Sequence, residues 1–244
     1  MKAEEFAARH RSGPIVVIPN AFDAGSAKVI ARRRPVAIGT SSAGIANGLG
    51  YADGERIGRD EMLAAIKRIV DAVDVGVTAD IEAGYGDAAG TAERLLGLGV
   101  IGLNLEDARY GGSGLLSVEE ACANIAAIRA VAGTSLVINA RVDTWLADGD
   151  PNALAVARGN AYLAAGADCV FAPGISDFAA VVAGLDGPLN AYAGAGTPPV
   201  AELEALGVRR VSVGNAPYDA CLRLVERITT ELLTVGRYDA LFAQ

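Results

Sequence analysis

The chain has 244 residues, 52% of them hydrophobic but only 5% aromatic, with 30 glycines and nine prolines, so it can build a large core of small aliphatic side chains and is not disordered as a whole. Its formal net charge of −8, from 29 acids against 21 bases, excludes a general nucleic-acid surface, which needs a basic footprint. The partner expected is a small molecule.

The N-terminus MKAEEFAARH carries acids and lacks the apolar core of a signal peptide, and no apolar run approaches the ~20 residues of a membrane span. A cytoplasmic chain with no membrane partner is therefore expected. Residues 3 to 10 form a short leading helix that holds His10, the one histidine, so mechanisms built on a histidine base or a histidine-ligated zinc are set aside. Ile15 to Ile18 is an apolar β-branched run closed by Pro19 and Asn20. Asp23 can cap a helix from Ala24 to Arg34, which Pro35 stops, and a second strand, Val36 to Gly39, leads into Thr40, Ser41 and Ser42. The stretch GIANGLGYADGERI, with Asp53, reads as a long glycine-rich loop of the functional kind. Asp60 then opens a helix to about Val73 with apolar residues at helical spacing.

VTADIEAGYG, Val77 to Gly86, begins as a buried strand and runs into two carboxylates. Alternation would put Asp80 and Glu82 on one face at the strand's carboxyl end, where their repulsion calls for a cation between them, and a hard divalent ion takes oxygen ligands. The alternative is that Glu82 already lies in a solvated loop and only Asp80 is constrained, as a helix or turn cap.

From here the pattern repeats. RLLGLGVIGLNLE, AYLAAGADCVFAP and ELEALGVRRVSVG each show a helix end, a glycine (Gly99, Gly166, Gly207), two residues, and a short apolar strand. Between them lie the helix Val118 to Val131, the strand Ser135 to Asn139, the helix Asn152 to Ala165, a poorer helix Asp177 to Leu185 and the strand Leu189 to Tyr192. A long helix runs from about Asn215 to Val235. Eight strand and helix pairs with no linker between them predict one (β/α)8 TIM barrel domain over residues 1–244. The three cysteines, Cys122, Cys169 and Cys221, are widely spaced among apolar neighbours and read as buried free thiols.

A barrel keeps its chemistry at the carboxyl ends of its strands. Those ends carry Ser41 and Ser42, Asp80 and Glu82, Asn104, Glu106 and Asp107, then Asn139, Arg141 and Asp143. Three or four carboxylates with an arginine and two hydroxyls suit an oxygen-ligated Mg²⁺ site, with Mn²⁺ as the alternative, and a substrate carboxylate gripped by Arg141 and the two serines. The reaction class this implies is bond cleavage or formation next to a 2-oxo acid, through an enolate. Plainer readings remain beside it. Arg141 could pair with Glu106 or Asp143, Ser41 and Ser42 could be turn formers, and Asp53 could be a surface turn residue. Tyr85, Trp145 and Phe171 read as packing residues rather than stacking platforms.

In order and context, PNAFDAGSAKVI, TSSAGIANGLGYAD, TADIEAGYGD, GLNLED, NARVDTW and GADCVFAPG resemble the phosphoenolpyruvate mutase and isocitrate lyase superfamily, over about Ile15 to Leu224. The resemblance implies a (β/α)8 barrel that binds Mg²⁺ and a small 2-oxo or 2-hydroxy acid and passes through a pyruvate enolate. It also implies a homo-oligomer, a tetramer or dimer, with C-terminal helix exchange between subunits. By position, Asp80 would contact the metal directly, with Glu82, Glu106 and Asp53 holding it partly through waters. Ser41, the amide of Ser42 and Arg141 would hold the substrate carboxylate, and Asp53 and Arg141 carry the catalytic roles. The chain departs from family lyases after Glu106: EDARYGGSGLLS has no lysine, cysteine or histidine where they have a lysine, cysteine, glycine, histidine loop. The positions where phosphonopyruvate mutases carry a lysine and asparagine in that loop and a histidine after strand six fall near Gly112 and Pro173. The expected activity is therefore a carbon–carbon lyase needing little more than enolate stabilisation, as in oxaloacetate decarboxylation. The alternatives are a retro-aldol, methylisocitrate lyase-like or phosphonopyruvate mutase-like enzyme with Tyr110 or Arg109 as acid/base, and a non-catalytic metal-dependent dicarboxylate binder.

Overall fold

A computed structural model describes residues 1–243. Among the described residues, nine strands form one sheet in which every pair is parallel: β1 (Val16–Ile18), β2 (Asn20–Ala21), β3 (Ile38–Thr40), β4 (Val77–Asp80), β5 (Gly102–Glu106), β6 (Val137–Arg141), β7 (Cys169–Phe171), β8 (Leu189–Tyr192) and β9 (Arg210–Ser212). The spatial order is β1-β9-β8-β7-β6-β5-β4-β3-β2. Only Pro19, which has no N–H to give a ladder, separates β1 from β2. They are two halves of one stave, one pairing with β9 and the other with β3, and that stave closes the sheet into a TIM-like barrel of parallel strands.

Around it run α1 (Ala3–Arg11), α2 (Ala24–Ala31), α3 (Ser42–Gly48), α4 (Arg59–Val70), α5 (Ala88–Leu98), α6 (Val118–Ala132), α7 (Pro151–Ala164), α8 (Phe178–Gly184), α9 (Val200–Ala205), α10 (Ala216–Val235) and α11 (Asp239–Phe242). Local chemistry sets their ends. Asp23 and Ser117 each form a capping box, Asp87, Asp150 and Asp177 cap α5, α7 and α8, and Gly99, Gly166 and Gly207 turn helices back toward strands at φ of 81°, 113° and 92°. α4 shows the packing rule for the outer layer: Met62, Leu63, Ile66 and Ile69 are buried, in one cluster with Ile38, Val77 and Leu103 of the sheet. Each such side chain contributes about 1.5–3 kcal/mol of burial. α1 shields the amino-terminal end of the barrel, where Phe6 packs with Val16, Ile101 and Val137.

Four expectations change. The stretch after Ser41 is not a plain loop but begins with α3, because Ser41 caps it and Ile45 and Ala46 are buried on its inner side. The strand expected over Ser135 to Asn139 runs from Val137 to Arg141, so Arg141 is in the sheet rather than beyond it. Cys221 lies on α10, which buries no residue, and is exposed, whereas Cys169 is buried and Cys122 partly so. Trp145 is 53% exposed and, rather than packing inside, lies against a guanidinium described below. Among the described residues, no helix is long and apolar enough to cross a membrane.

Candidate active site

The strand carboxyl ends enclose a cavity of about 510 Å³. Ser41, Ser42, Asp53, Asp80, Asn104 and Arg141 line it on one side, and Trp145, Phe171, Ile175, Phe178 and Tyr192 on the other. Asp80, the last residue of β4, is held on three sides. The Ser42 amide (3.2 Å) and hydroxyl (2.8 Å) both donate to its Oδ2, and its own amide donates to Thr40 Oγ1 (2.8 Å). Its Oδ1 is buried with no partner. Burial pushes the Asp80 carboxyl above its ordinary value, against the pull of Arg141 and Ser42, and nearby Asp53 adds to the rise.

Alternation does not carry Glu82 to the same face. The chain leaves the strand at Asp80 and Glu82 takes a left-handed conformation, φ 51°, followed by Gly84 at 93° and Tyr85 at 58°. Its carboxylate instead accepts the amides of Gly54 (3.1 Å) and Glu55 (3.0 and 3.1 Å), and in return Glu55 accepts the Tyr85 amide at 2.6 Å. The two loops hold one another, which sets Asp53 at the cavity wall. Glu82 is buried, not solvated, and burial pushes its carboxyl up to about 7.

Arg141 ends β6 in a cage. Its Nη1 pairs with Glu106, the last residue of β5, and its Nε with Asp143 at 2.6 Å. The rings of Trp145 and Phe171 stand 5.0 and 5.8 Å from its guanidinium carbon. Pairing with both acids is thus real, yet Nη2 is unspent and the side chain still faces the cavity. Burial raises the Glu106 carboxyl well above its usual range and Asp143 to about 6, with Arg141 opposing both. The surrounding carboxylates hold the guanidinium firmly cationic. Glu106 also accepts from the Tyr110 hydroxyl, and Tyr110 lies over the Asp53 loop, where a β-carbon on Gly54 would meet its ring at 3.2 Å.

Of the residues singled out in the sequence, the structure brings Ser41, Ser42, Asp53, Asp80 and Arg141 to one cavity wall and leaves Glu82 and Glu106 behind that wall. Ser41 caps α3 through its Oγ and shares a 3.5 Å contact with Asn215, while the Ser42 amide expected for substrate is engaged with Asp80. Asp107 faces away from the cavity toward α7, bonded to Arg158 (2.8 Å) and Tyr162 (2.6 Å). Asn104 had no role assigned from sequence. The available signal was a polar residue alternating with leucines in GLNLE.

Residues 6–233 match the phosphoenolpyruvate phosphomutase family. The chain belongs to the PEP mutase/isocitrate lyase superfamily. A superfamily relative, an uncharacterized protein of Mycobacterium tuberculosis, is 34% identical over 218 residues, 87% of this chain and 83% of that one. An oxaloacetate decarboxylase of Pseudomonas putida is 33% identical over 201 residues, 75% of this chain and 65% of the relative. The crystal structure of a candidate lyase/mutase from Burkholderia cenocepacia superposes with a TM-score of 0.90 at 36% identity, covering 100% of this chain and 91% of that one.

The donors present fit a hard divalent cation in a hydrated form. Asp80 Oδ1 is a buried carboxylate oxygen with no other partner, and Mg²⁺ needs only one or two direct carboxylates while it keeps several waters. Among the described residues, no three side chains of the metal-binding types converge on one point, so a site closed by protein ligands alone is not built.

Proposed function

We propose that this chain is a Mg²⁺-dependent carbon–carbon lyase, with Mn²⁺ as the alternative ion, that acts on a small 2-oxo or 2-hydroxy acid through a pyruvate enolate. Oxaloacetate decarboxylation is its simplest case. The observation that carries this reading is that Asp80, whose Oδ1 has no partner among the described residues, and Arg141, whose Nη2 is unspent, line the same cavity. Asp80 would hold the cation directly and Asp53, on the same wall, through its waters, whereas Glu82 and Glu106, behind the wall, would reach it only through further waters. A bound divalent cation supplies Lewis-acid stabilisation of negative charge developing on the substrate.

The protein's own residues do the rest. Arg141 binds the substrate carboxylate through Nη2, and its cage of Glu106, Asp143, Trp145 and Phe171 fixes the direction of that donor. Ser41 borders the same end of the cavity, and Ser42 orients Asp80. In decarboxylation the bond to the distal carboxylate breaks, its electron pair passes into the enolate, carbon dioxide leaves and water protonates the carbon. No acid or base from the loop after Glu106 is required, in keeping with a loop that has no lysine, cysteine or histidine. A retro-aldol or mutase-like reaction is the second reading, favoured by the Tyr110 hydroxyl bonded to Glu106.

The same proposal takes residues 1–244 as one barrel domain that assembles as a homotetramer through exchange of α10. Supporting it, α10 buries none of its residues although Leu222, Val225 and Leu233 lie on it. The test of function is NMR-monitored incubation with oxaloacetate, phosphonopyruvate, methylisocitrate and 2,3-dimethylmalate, with Mg²⁺ or excess chelator. Chelator-sensitive turnover above the enzyme-free blank is the expected result and identifies the substrate. A rise in melting temperature with one compound and no turnover would make the chain a binder.

A further inference from the structure

Beneath the cavity lies a charge that the mechanism above does not use. Arg210, the first residue of β9, is fully buried inside the barrel and makes no ion pair among the described residues. The Phe6 ring stands 5.8 Å from its guanidinium carbon, and Nε and Nη1 are buried without acceptors. Burial lowers its pKa to about 10, so it stays cationic at neutral pH. A buried cation without a counter-ion is costly, and an aliphatic side chain could fill the same space without that cost.

Its one polar contact is informative. Arg210 Nη2 lies 3.3 Å from Asn104 Oδ1, and Asn139 Nδ2 donates to the same oxygen at 2.8 Å. A guanidinium has donors only, so the Asn104 atom that faces it must be the oxygen, and the amide cannot be flipped. Asn104 Nδ2 is thereby turned away from both partners. It has no bond among the described residues and is not sealed from solvent, while Asn104 itself lines the cavity and pairs across the sheet with Asp80. A fixed N–H donor therefore faces the space beside Asp80.

We propose that Asn104 is a substrate-binding residue whose Nδ2 donates to an anionic oxygen of the substrate, and that Arg210 is the positioning residue that keeps this donor turned into the cavity. Without Arg210 the Asn104 and Asn139 amides can turn over together, keeping their mutual hydrogen bond through the partnerless Asn139 Oδ1, and Asn104 then presents its oxygen, adding an acceptor to a wall that already carries Asp53 and Asp80. The assignment rests on the reading of the cavity as a site for a small acid.

Oxalate tests it, since it is planar and carries vicinal anionic oxygens like those of a pyruvate enolate. Its dissociation constant would be measured by calorimetry in saturating Mg²⁺, with the melting temperature of every variant recorded. Asn104→Asp keeps the shape, removes the donor and gives Arg210 a carboxylate. It is expected to melt no lower than the parent yet bind oxalate about tenfold more weakly or worse. Arg210→Gln, which can present either an oxygen or a nitrogen, should weaken oxalate similarly, and Arg210→Lys, again a donor only, should restore binding to within a few-fold. Oxalate affinity within about twofold of the parent in Asn104→Asp overturns the assignment, as does a fall in melting temperature that tracks the loss of affinity. Failure of the unsubstituted protein to bind oxalate would instead overturn the small-acid reading, and this assignment with it.

Discussion

His10 is the one histidine, and its surroundings make it a sensitive reporter of the fold. Its Nδ1 is 2.8 Å from the Phe6 carbonyl, which takes the ring proton, and its edge meets the Phe6 ring at 4.7 Å. Burial, reinforced by Arg210, pushes its pKa from 6.5 to about 3. The unfolded chain therefore takes up a proton on acidification that the folded chain refuses. This contribution to stability is complete above the unfolded value and is lost as pH falls from about 6.5 toward 3, at up to about 1.4 kcal/mol per pH unit. Glu82 and Asp143, raised to about 7 and about 6, act in the opposite sense, losing stability as pH rises through that range, so a comparison of variants isolates His10. His10→Gln is expected to melt with a shallower fall on acidification, and the ring resonances of the parent should not titrate between about pH 8 and about pH 5. An imidazole titrating near its ordinary value would contradict this burial. The residue scale also shows what a sequence conceals. Asp80 was legible because an acid ending an apolar strand demands a reason. The turn of Glu82 was not, because its left-handed backbone falls on a residue type that carries no mark of it. Nor was Asn104, whose amide is oriented by Arg210, 106 positions along the chain.

At the scale of elements, alternation, caps and C-terminal glycines were enough to place most strands and helices, and Leu189 to Tyr192 was found to the residue. α3 escaped because SAGIANG has two glycines and weak helix propensity, and its helix depends on the Ser41 cap and on burial of Ile45 by parts of the chain remote in sequence. The split of the first stave at Pro19 depends likewise on partners nearly 200 residues apart. Strands approach closely at Gly102 of β5, where a β-carbon would meet the Val137 carbonyl at 2.8 Å and Thr78 Oγ1 at 3.1 Å. The Val137 carbonyl is backbone of the neighbouring strand and cannot withdraw without disturbing the sheet. Gly102→Ala is expected to cost about 1–3 kcal/mol, read as a lower urea midpoint, and an unchanged midpoint would contradict the close approach.

For the molecule as a whole, the unfinished feature is α10. Leu233 is 78% exposed, Val225 57% and Leu222 49%, an apolar surface that the rest of the chain leaves uncovered. Light scattering is expected to show a tetramer that Val225→Glu with Leu233→Glu reduces to smaller species without loss of helical circular dichroism, and a monomeric parent would contradict that assembly. The barrel itself was legible because eight repeated units of strand and helix admit few closures. The expected reaction narrows only to a class, because the far side of the cavity, with Phe171, Ile175 and Phe178, carries shape and little charge. The proposed function has Asp80 and Arg141 together support metal-dependent cleavage of a small acid. Its most direct test is the initial rate of pyruvate formation from oxaloacetate in Mg²⁺, measured against the same Mg²⁺ without protein. The expected rate lies well above that blank, is returned to it by chelator and falls about a hundredfold or more, on the order of one lost charge-stabilising group, in both Asp80→Asn and Arg141→Gln. A rate above the blank that both variants retain would place the chemistry elsewhere and contradict it.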